Sequence, residues 1–316
     1  MCDGPLVAVI VVHWGSPEVT MECIRSVRAC HYGNLHIFVI DNCPQQRLWT
    51  QPPEADPTIV YIRATTNTGY CGGNNLGILE AQKLGAEYIL LLNNDAILDT
   101  RFFTNCLAYM ERHPEISVIS PKTLSYQAPR RIDAAGGELD LNTGETTIFG
   151  QNEQDVGQCA SEKEITFAGG CAFFTRTRVF KQVGGFDENL FCYGEDVDIS
   201  RRIVLAGFRM RYLPSAKVWH RHASITVSGR AELPSRTEVY YYWRNKFYNL
   251  TRYMSERFGM GHIRFGYRFV RRLASFALKH RRPDLSLTML FGLFDSIAGR
   301  MGKRDYYEGR YSTRTR

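Results

Sequence analysis

Short apolar runs alternate with amphipathic segments up to about residue 120 of the chain. The runs at Leu6–Val12, Leu35–Ile40, Thr58–Ile62 and Tyr88–Leu92 are β-rich, and the first and last are almost wholly apolar, as expected of strands that are buried on both faces. Pro17 is suited to open a helix after the first run. This alternation predicts an α/β fold with a mostly parallel central sheet flanked by helices.

The pattern changes along the rest of the chain. Residues 121–164 are rich in turn residues and predict a loop or hairpin insertion. The elements predicted after it are strands at Thr166–Thr175 and Arg209–Leu213, and a helix at Glu195–Ala206 that Gly207 ends. From about Glu238 the pattern becomes helical, aromatic and basic. We therefore expect a main domain in residues 1–235 and a helical extension in residues 236–316.

The composition adds information about compartment and partners. The net charge is +7, and residues 257–282 hold eight Lys or Arg and no Asp or Glu, which favours an anionic partner, lipid or nucleic acid. Nine cysteines show no CxxC spacing and no Cys/His cluster, so reduced thiols are expected rather than zinc sites. A signal-peptide pattern and a run of about 20 apolar residues are both lacking, which predicts a cytoplasmic or peripheral membrane protein.

Polar residues stand at the ends of two predicted strands. Asp41 and Asn42 follow the second strand, and Asn93, Asn94 and Asp95 follow the fourth. Ligands of parallel sheets bind at the carboxyl ends of strands, so these side chains are candidates for ligand contacts. Asp95 is a hard oxygen ligand that suits Mg²⁺ or Mn²⁺ bound to substrate phosphates. A strand-end turn at Asp41 and helix capping after Asp95 are the structural alternatives.

The segment Asn67–Asn75 holds glycines at 69, 72 and 73 before a predicted helix that reaches about Leu84. Glycines let the backbone approach a ligand closely, and the helix start offers N–H groups to an anion such as a diphosphate. The segment matches neither a Walker loop nor GxGxxG, so a structural loop of turn residues is an equal alternative.

Glu195 and Asp196 open a predicted helix and are the most informative pair in the chain. A carboxylate pair there suits a general base, and an N-cap role is the structural alternative. An arginine one turn further, at 201 or 202 beside Asp198, could hold an acid ionised.

His220 and His222 follow the strand-like run Ala216–Trp219. A histidine at a strand end is more often a surface residue than a ligand, but near a diphosphate site a neutral imidazole could complete a metal shell. The two histidines would lie on the same face of a strand, so spacing alone does not choose between them.

Taken in order, these blocks resemble the family 2 glycosyltransferases, which are inverting enzymes of the GT-A fold, and more narrowly their rhamnosyltransferase-like branch. The resemblance covers about residues 6–225. The matching segments are Val7–Val12, Val39–Asn42, Asn67–Asn75, Leu91–Asp95, Gly169–Phe173, Val183–Asp187, Phe191–Asp198, Arg202, Ala206–Phe208, Val218–His220 and Ser224. Tyr240–Asn245 is similar to an aromatic-Arg-Asn segment that often follows the catalytic domain in this branch.

The resemblance implies a role for each matching residue. Asp196 would be the catalytic base with Glu195 beside it, Asp95 would bind Mg²⁺ or Mn²⁺, and His220 would be a further metal or diphosphate contact. The donor-binding residues that it implies are Asp41 at the nucleotide base, Gly169 and Gly170 at the wall of the sugar pocket, and Asn42, Asn67, Gly69, Gly73, Asn74, Asn93 and Asn94.

The resemblance also implies transfer of a sugar, with inversion, from a nucleotide-diphosphate donor to a hydroxyl of a glycan or lipid-linked acceptor. Its branch favours dTDP-rhamnose, then UDP-hexoses, and a role in polysaccharide or cell-envelope synthesis. A lipid-linked acceptor makes an anionic membrane surface, at the inner face of the cell membrane, the partner expected for the basic extension. A helix that packs its apolar face on the main domain and exposes its basic face to solvent is an equal alternative. No nucleic-acid module is recognised.

The chain departs from the family pattern at three places. The segment Asp41–Gln46 lacks the Ser and Asp that the family has after its Asp-Asn pair. Asn93 and Asp95 stand at the outer positions of the family's DxD motif, so only one of its two carboxylates, that of Asp95, is kept. The Asn that usually follows the first strand is replaced. Two other functions are alternatives to sugar transfer. A sugar nucleotidyltransferase would need a Gly-rich loop with Arg and Lys, which His13–Pro17 does not supply. A non-catalytic nucleotide-sugar-binding module would not need Glu195 and Asp196.

Overall fold

The computed structural model describes residues 4–43, 56–141, 143–221, 233–253 and 260–304. Its strands are β1 (Val7–His13), β2 (Leu35–Asp41), β3 (Ile59–Arg63), β4 (Tyr88–Asn93), β5 (Ala96–Leu98), β6 (Ile116–Ser125), β7 (Ile132–Ala134), β8 (Gly137–Leu139), β9 (Thr146–Ile148), β10 (Lys163–Ile165), β11 (Ala172–Arg176) and β12 (Arg209–His220). Its α-helices are α1 (Pro17–Arg28), α2 (Gly69–Leu84), α3 (Phe102–Arg112), α4 (Thr177–Val183), α5 (Glu195–Leu205), α6 (Arg236–Tyr253), α7 (Met260–Ala274) and α8 (Pro283–Ile297). A π-helical turn, Ser275–Lys279, follows α7.

The large central sheet has the strand order β10-β12-β6-β11-β4-β1-β2-β3. Strands β3, β2, β1 and β4 are parallel, as the alternating pattern predicted. Beyond β4 the sheet is mixed, because β11 runs antiparallel to both β4 and β6 while β12 runs parallel to β6. The fold is therefore mixed α/β. Neighbouring strands are all parallel from β4 to β3, whereas both parallel and antiparallel pairs occur on the other side of β4.

The two faces of β1 enter two different cores, which explains its continuous apolar sequence. Val7, Val9 and Val11 pack with residues of α1 and α3 on one face of the sheet. Ala8 and Ile10 pack on the other face with residues of α2. Burial of both faces requires apolar residues at every position of the strand, rather than at alternate ones.

Four predicted elements need correction. Residues 121–164 are not a loop insertion throughout, since β6 continues to Ser125 and four short strands, β7 to β10, follow. The strand predicted at Thr166–Thr175 begins only at Ala172. The glycine-rich segment is helical from Gly69, so its glycines lie in the first turns of α2. The two strand-like runs after Gly207 form one strand, β12, which includes bulges.

The last three α-helices form a core of their own. Val239 and Trp243 of α6 pack with Phe265 and Phe269 of α7 and with Met289 of α8. The domain boundary at residue 235, with the extension in residues 236–316, stays a prediction. Among the described residues, no helix is both long and apolar enough to cross a membrane.

Candidate active site

Two carboxylates flank a histidine at the carboxyl edge of the sheet. Strand β5 pairs with the end of β12, with Ala96 opposite His220, and this brings the preceding residue, Asp95, to the imidazole. The His220 Nε2 atom lies 3.3 Å from Asp95 Oδ1, and its Nδ1 lies 3.0 Å from Oδ2 of Asp133 in β7. Burial alone would lower the pKa of His220, but Cys171 and hydrogen bonds to Asp133 and Asp95 raise it well above its ordinary value.

The neighbouring asparagines point in different directions. The Nδ2 atom of Asn93 lies 3.4 Å from His220 Nε2, and its buried Oδ1 has no hydrogen-bond partner among the described residues. Asn94 instead donates to Trp14 O at 2.9 Å and Thr20 Oγ1 at 2.8 Å, so it connects the end of β4 to the start of α1. Of the three predicted residues at this strand end, the structure brings Asn93 and Asp95 to His220 and turns Asn94 away.

The residues at this edge fit a divalent metal that shares its shell with a substrate. Over the described ranges, no three His, Cys, Asp or Glu side chains are placed to hold a metal by themselves. Asp95 and His220 nevertheless face each other, and the unpartnered oxygen of Asn93 lies beside them. An oxygen and imidazole donor set suits Mn²⁺ or Mg²⁺, which take their remaining ligands from water and phosphate.

Glu195 and Asp196 form the second part of the site, at the start of α5. Burial and the nearby Asp196 raise the pKa of Glu195, and its buried Oε2 has no hydrogen-bond partner among the described residues. Burial also raises the pKa of Asp196, and nearby backbone N–H groups, including that of Gly170, lower it by a smaller amount. Both acids therefore keep their protons to a higher pH than ordinary carboxyls, which is the property that a general base needs in order to work near neutrality.

The arginine expected to stabilise this pair is used elsewhere. Arg202 donates through Nε to Asp198 Oδ2 at 2.8 Å, and through Nη1 to Val183 O at 2.7 Å. Arg201 donates to Leu141 O at 3.1 Å. The salt bridge one turn into α5 therefore serves Asp198 rather than the pair at the helix start.

The segment from Gly169 to Cys171 joins the two parts of the site. The Gly170 carbonyl accepts a hydrogen bond of 2.8 Å from the Tyr70 hydroxyl, and a Cβ added at Gly170 would lie 3.9 Å from Glu195 Oε1. The next residue, Cys171, lies against His220. A Cβ added at Gly169 would meet no atom within 4 Å, so this glycine borders open space, as the wall of a pocket must. The carboxylate pair and the imidazole therefore lie beside the same short segment, Gly170 and Cys171.

Asp41, Asn42 and Asn67 lie at the sheet edge, but their groups are engaged within the protein. The side chain of Asp41 is buried and accepts hydrogen bonds from Tyr61 and from the N–H of Cys43. Asn42 donates to Asn67 Oδ1 at 3.1 Å and to Gly69 O at 2.9 Å. This network fixes the chain entering α2, and the donor-binding roles predicted for these residues stay predictions.

The helix start that was expected to bind an anion is also occupied by protein groups. The N–H of Gly69 donates to Asn67 Oδ1 at 2.9 Å, and that of Cys71 donates to Phe191 O at 3.1 Å. Gly73 allows α2 to approach β1, since a Cβ there would lie 2.7 Å from a Val12 methyl carbon. Asn74 is buried and bonds within its own helix. These residues position α2, and no ligand contact follows from their geometry.

Two residues of the site were missed by sequence reasoning. Tyr70 was present in the quoted glycine-rich segment, and burial together with the nearby Glu195 and Asp196 raises the pKa of its hydroxyl. Asp133 gave no signal, because it lies in the insertion and meets His220 across 87 residues of sequence. His222 and Ser224 lie outside the described residues.

A mixed sheet flanked by helices, with Asp95 and His220 at its edge and Glu195 and Asp196 at the start of α5, agrees with the GT-A fold of nucleotide-sugar transferases. The family described as "Glycosyltransferase like family 2" matches residues 4–233, more than half of the chain. The chain belongs to this glycosyltransferase family.

Several curated relatives are similar over parts of the chain. The N-acetylglucosaminyl-diphospho-decaprenol L-rhamnosyltransferase of Mycobacterium tuberculosis is 44% identical over 66 residues, which are 21% of this chain and 22% of that protein. The low-salt glycan biosynthesis hexosyltransferase Agl10 of Haloferax volcanii is 26% identical over 62% of this chain and 60% of its own length. The galactofuranosyltransferase GlfT1 of Mycolicibacterium smegmatis is 26% identical over 66% and 68%. The chain thus spans between about a fifth and two thirds of the length of these relatives.

Two solved structures share the fold. GalNAc-T7, crystallised with UDP, GalNAc and Mn²⁺, superposes with a TM-score of 0.59 at 14% identity, over 94% of this chain and 57% of that one. Residues 1–349 of S. aureus TarS superpose with a TM-score of 0.52 at 14% identity, over 93% of this chain and 82% of that one. At this level of identity the likeness establishes the GT-A fold alone.

Proposed function

We propose that this protein is an inverting glycosyltransferase that moves a sugar from a nucleoside-diphosphate donor to an acceptor hydroxyl. The observation that supports the proposal is that Gly170 and Cys171 are consecutive residues, of which Gly170 lies beside Glu195 and Cys171 lies beside His220, itself 3.3 Å from Asp95. A base on one side and a cation site on the other are what a single displacement at an anomeric carbon requires.

The chain's own residues then have distinct tasks. Asp196 accepts the proton of the acceptor hydroxyl while that oxygen forms the bond to the anomeric carbon and the bond to the diphosphate breaks. Glu195 stays protonated beside it, because burial and the Asp196 charge raise its pKa. The N–H of Val197 donates to Asp196 Oδ1 at 2.9 Å, which favours the ionised form.

A bound Mg²⁺ or Mn²⁺ would be held by Asp95 and His220, and it would neutralise charge that develops on the departing diphosphate. Asp133 orients the imidazole by accepting from Nδ1, so that Nε2 is directed to the side of Asp95. The presence of Mn²⁺ with the structural neighbour GalNAc-T7 supports divalent-metal use in this fold.

For the donor we propose dTDP-rhamnose first and UDP-hexoses second, and for the acceptor a glycan or lipid-linked sugar of cell-envelope polysaccharide synthesis. The rhamnosyltransferase similarity supports the first donor over 21% of the chain. The galactofuranosyltransferase and hexosyltransferase similarities support other sugars over a larger share.

We also propose that the extension formed by α6, α7 and α8 binds the anionic inner face of the cell membrane. On α8, the side chains of Leu287, Phe291, Phe294 and Ile297 are each about half or more exposed and lie on one face. On α7, exposed arginines flank an exposed apolar stripe, as in helices that lie in a bilayer interface. The arginines of α7 are Arg264, Arg268, Arg271 and Arg272.

The proposed activity is tested by nucleoside-diphosphate release from dTDP-, UDP- and GDP-sugars, with Mn²⁺, Mg²⁺ or EDTA and with an oligosaccharide or lipid-linked acceptor. We expect metal-dependent release from one donor, and its loss in Asp95→Ala. Thermal stabilisation by a donor without any release, with acceptor present, would favour the binding module. Pyrophosphate exchange in place of sugar transfer would favour the nucleotidyltransferase.

A further inference from the structure

The loop before the carboxylate pair has an unusual backbone. Phe191, Tyr193 and Gly194 all have positive φ angles, of 64°, 65° and 86°. For aromatic residues this left-handed conformation costs about 1–2 kcal/mol each, so it persists only where the surroundings impose it. Asp196 follows two residues later, and its position therefore depends on whatever holds this loop.

We infer that Arg244 and Asn245 of α6 are positioning residues that hold the loop 189–194 and so place Glu195 and Asp196. The Asn245 side chain is fully buried. Its Nδ2 lies 2.8 Å from Leu190 O, 2.8 Å from Cys192 O and 2.7 Å from Tyr193 O. One amide nitrogen thus lies within hydrogen-bonding distance of three carbonyl oxygens of the loop.

Arg244 fixes the orientation of that amide and extends the contact. Its Nε donates to Asn245 Oδ1 at 2.8 Å, which directs the Asn245 Nδ2 atom to the loop. Its Nη2 donates to Asn189 O at 3.0 Å and to Leu190 O at 2.9 Å. The guanidinium is fully buried. Burial of a cation is costly in free energy unless the cation is hydrogen-bonded. Arg244 makes its hydrogen bonds to backbone carbonyls of the loop, which indicates that the conformation of the loop is important.

A third side chain of α6 completes the contact one turn later. Asn249 donates from Nδ2 to Gly194 O at 2.9 Å, at the residue directly before Glu195. We call Arg244, Asn245 and Asn249 the loop clasp.

The opposite side of the loop contacts the helix that borders the pocket. Phe191 O accepts from the N–H of Cys71 at 3.1 Å, and a Cβ at Gly69 would lie 2.3 Å from the same oxygen. The loop is therefore held between α6 and the first turn of α2. Since Tyr70 of that turn reaches Gly170, the clasp also fixes the distance between the carboxylate pair and the pocket wall.

It follows that α6, which lies in the predicted extension rather than in the main domain, completes the active site. The contacts of α6 with the loop are observed in the structure, whereas their effect on catalysis rests on the proposed function. A misplaced base lowers the rate of the chemical step while the donor still binds. A shift of the base by about an ångström is enough to lose the geometry that the displacement needs.

The inference is tested in the full chain with Asn245→Ala and the milder Asn249→Ala. The matched control is Asn105→Ala, which removes a side-chain-to-carbonyl hydrogen bond to Ser215 far from the loop. We expect amide hydrogen exchange in residues 190–196 to quicken at least tenfold in both clasp variants and not in the control. We expect kcat for nucleoside-diphosphate release to fall about 10- to 100-fold, with the donor KM within threefold of wild type.

The outcomes separate this inference from the proposed function. Unchanged exchange in residues 190–196 in both clasp variants overturns it, and so does quickened exchange with unchanged kcat. If Asn245→Ala does not fold, Asn249→Ala decides alone, since it loses one hydrogen bond only. If wild type releases no nucleoside diphosphate from any donor, the proposed function fails, and the exchange measurement still decides whether the clasp holds the loop.

Discussion

At the scale of single residues, Asp196 and Glu195 are adjacent acids in different surroundings. Asp196 is partly exposed and accepts a hydrogen bond of 2.9 Å from the N–H of Val197, whereas Glu195 is buried with an oxygen that has no partner among the described residues. These environments support the proposal that Asp196 is the ionised acid and Glu195 the protonated one. Pairs of acids with separated pKa values are typical of sites that carry out proton transfer.

Replacement of Asp196 tests the assignment of the base. We expect Asp196→Asn to lower kcat by about 10²–10⁴-fold while donor affinity, measured by calorimetry, changes little. In wild type, activity should rise with pH as the carboxyl ionises, with a midpoint above the ordinary Asp value of about 3.9, because its pKa is raised by burial. Turnover at the wild-type rate in the variant would refute the assignment.

Glu195→Gln should stabilise the protein, because a buried acid with a raised pKa is costly to ionise. The unfolded state loses its proton at a lower pH, so the folded state loses stability as pH rises from the ordinary carboxyl value to the raised one. The amide removes this cost. We expect the melting temperature of the variant to exceed that of wild type by about 2–6 °C at pH 8 and by little at pH 5. An equal gain at both pH values would show another cause.

Under the proposed function, Asp133 affects the cation site through His220, because Asp133 Oδ2 lies 3.0 Å from the Nδ1 atom of that histidine. Loss of a carboxylate that orients a metal-binding histidine lowers metal affinity by about 10- to 100-fold. We expect this decrease for Asp133→Asn in a Mn²⁺ titration followed by electron paramagnetic resonance with UDP present. Asp155→Asn is the control, since Asp155 lies in the same insertion but pairs with Lys122. Equal affinities in the two variants would contradict the role of Asp133.

At the scale of elements, the parallel half of the sheet was predictable and the other half was not. The strands β1 and β4 are continuous apolar runs whose hydrogen-bond partners are also apolar, so sequence periodicity finds them. The strands β7 to β10 have only three residues each, which is too short for a periodic pattern, and β10 pairs with the distant β12. The contact of Asp133 with His220 joins residues 87 positions apart, so no local pattern predicts it.

The glycine at the start of α2 is required by a contact with a distant part of the chain. Gly69 lies against Phe191 O of the loop, and its predicted contact with the donor stays a prediction. Gly69→Ala combines a positive φ of 72° with a Cβ 2.3 Å from that oxygen. Gly85→Ala is the matched control, with a φ of 80° and no atom within 4 Å of the added Cβ.

We expect Gly85→Ala to cost about 1–2 kcal/mol of unfolding free energy from backbone strain alone. Gly69→Ala should cost at least about 2 kcal/mol more and should also lower kcat, because the loop must move. Chemical denaturation and kinetics check both effects. Equal losses of stability in the two variants would mean that the contact with Phe191 carries no energy.

At the scale of the whole molecule, the exposed apolar residues of α8 and the arginines of α7 predict binding to anionic vesicles. Burial of a phenylalanine side chain in the interface contributes about 1.5–3 kcal/mol. Phe291→Ser combined with Phe294→Ser should therefore reduce the bound fraction at least tenfold in flotation with vesicles containing phosphatidylglycerol. Leu205→Ser combined with Val156→Ser is the control, since both residues are exposed outside the extension.

Salt distinguishes the charge contribution from the apolar one. Screening of the arginines weakens binding as ionic strength rises, whereas the contribution of Phe291 and Phe294 changes little. We expect wild type to dissociate partly at 0.5 M NaCl and the serine variant to dissociate fully. If wild type does not float with anionic vesicles even at low salt, the exposed face of α8 does not bind membrane, and the extension then serves the active site through the loop clasp alone.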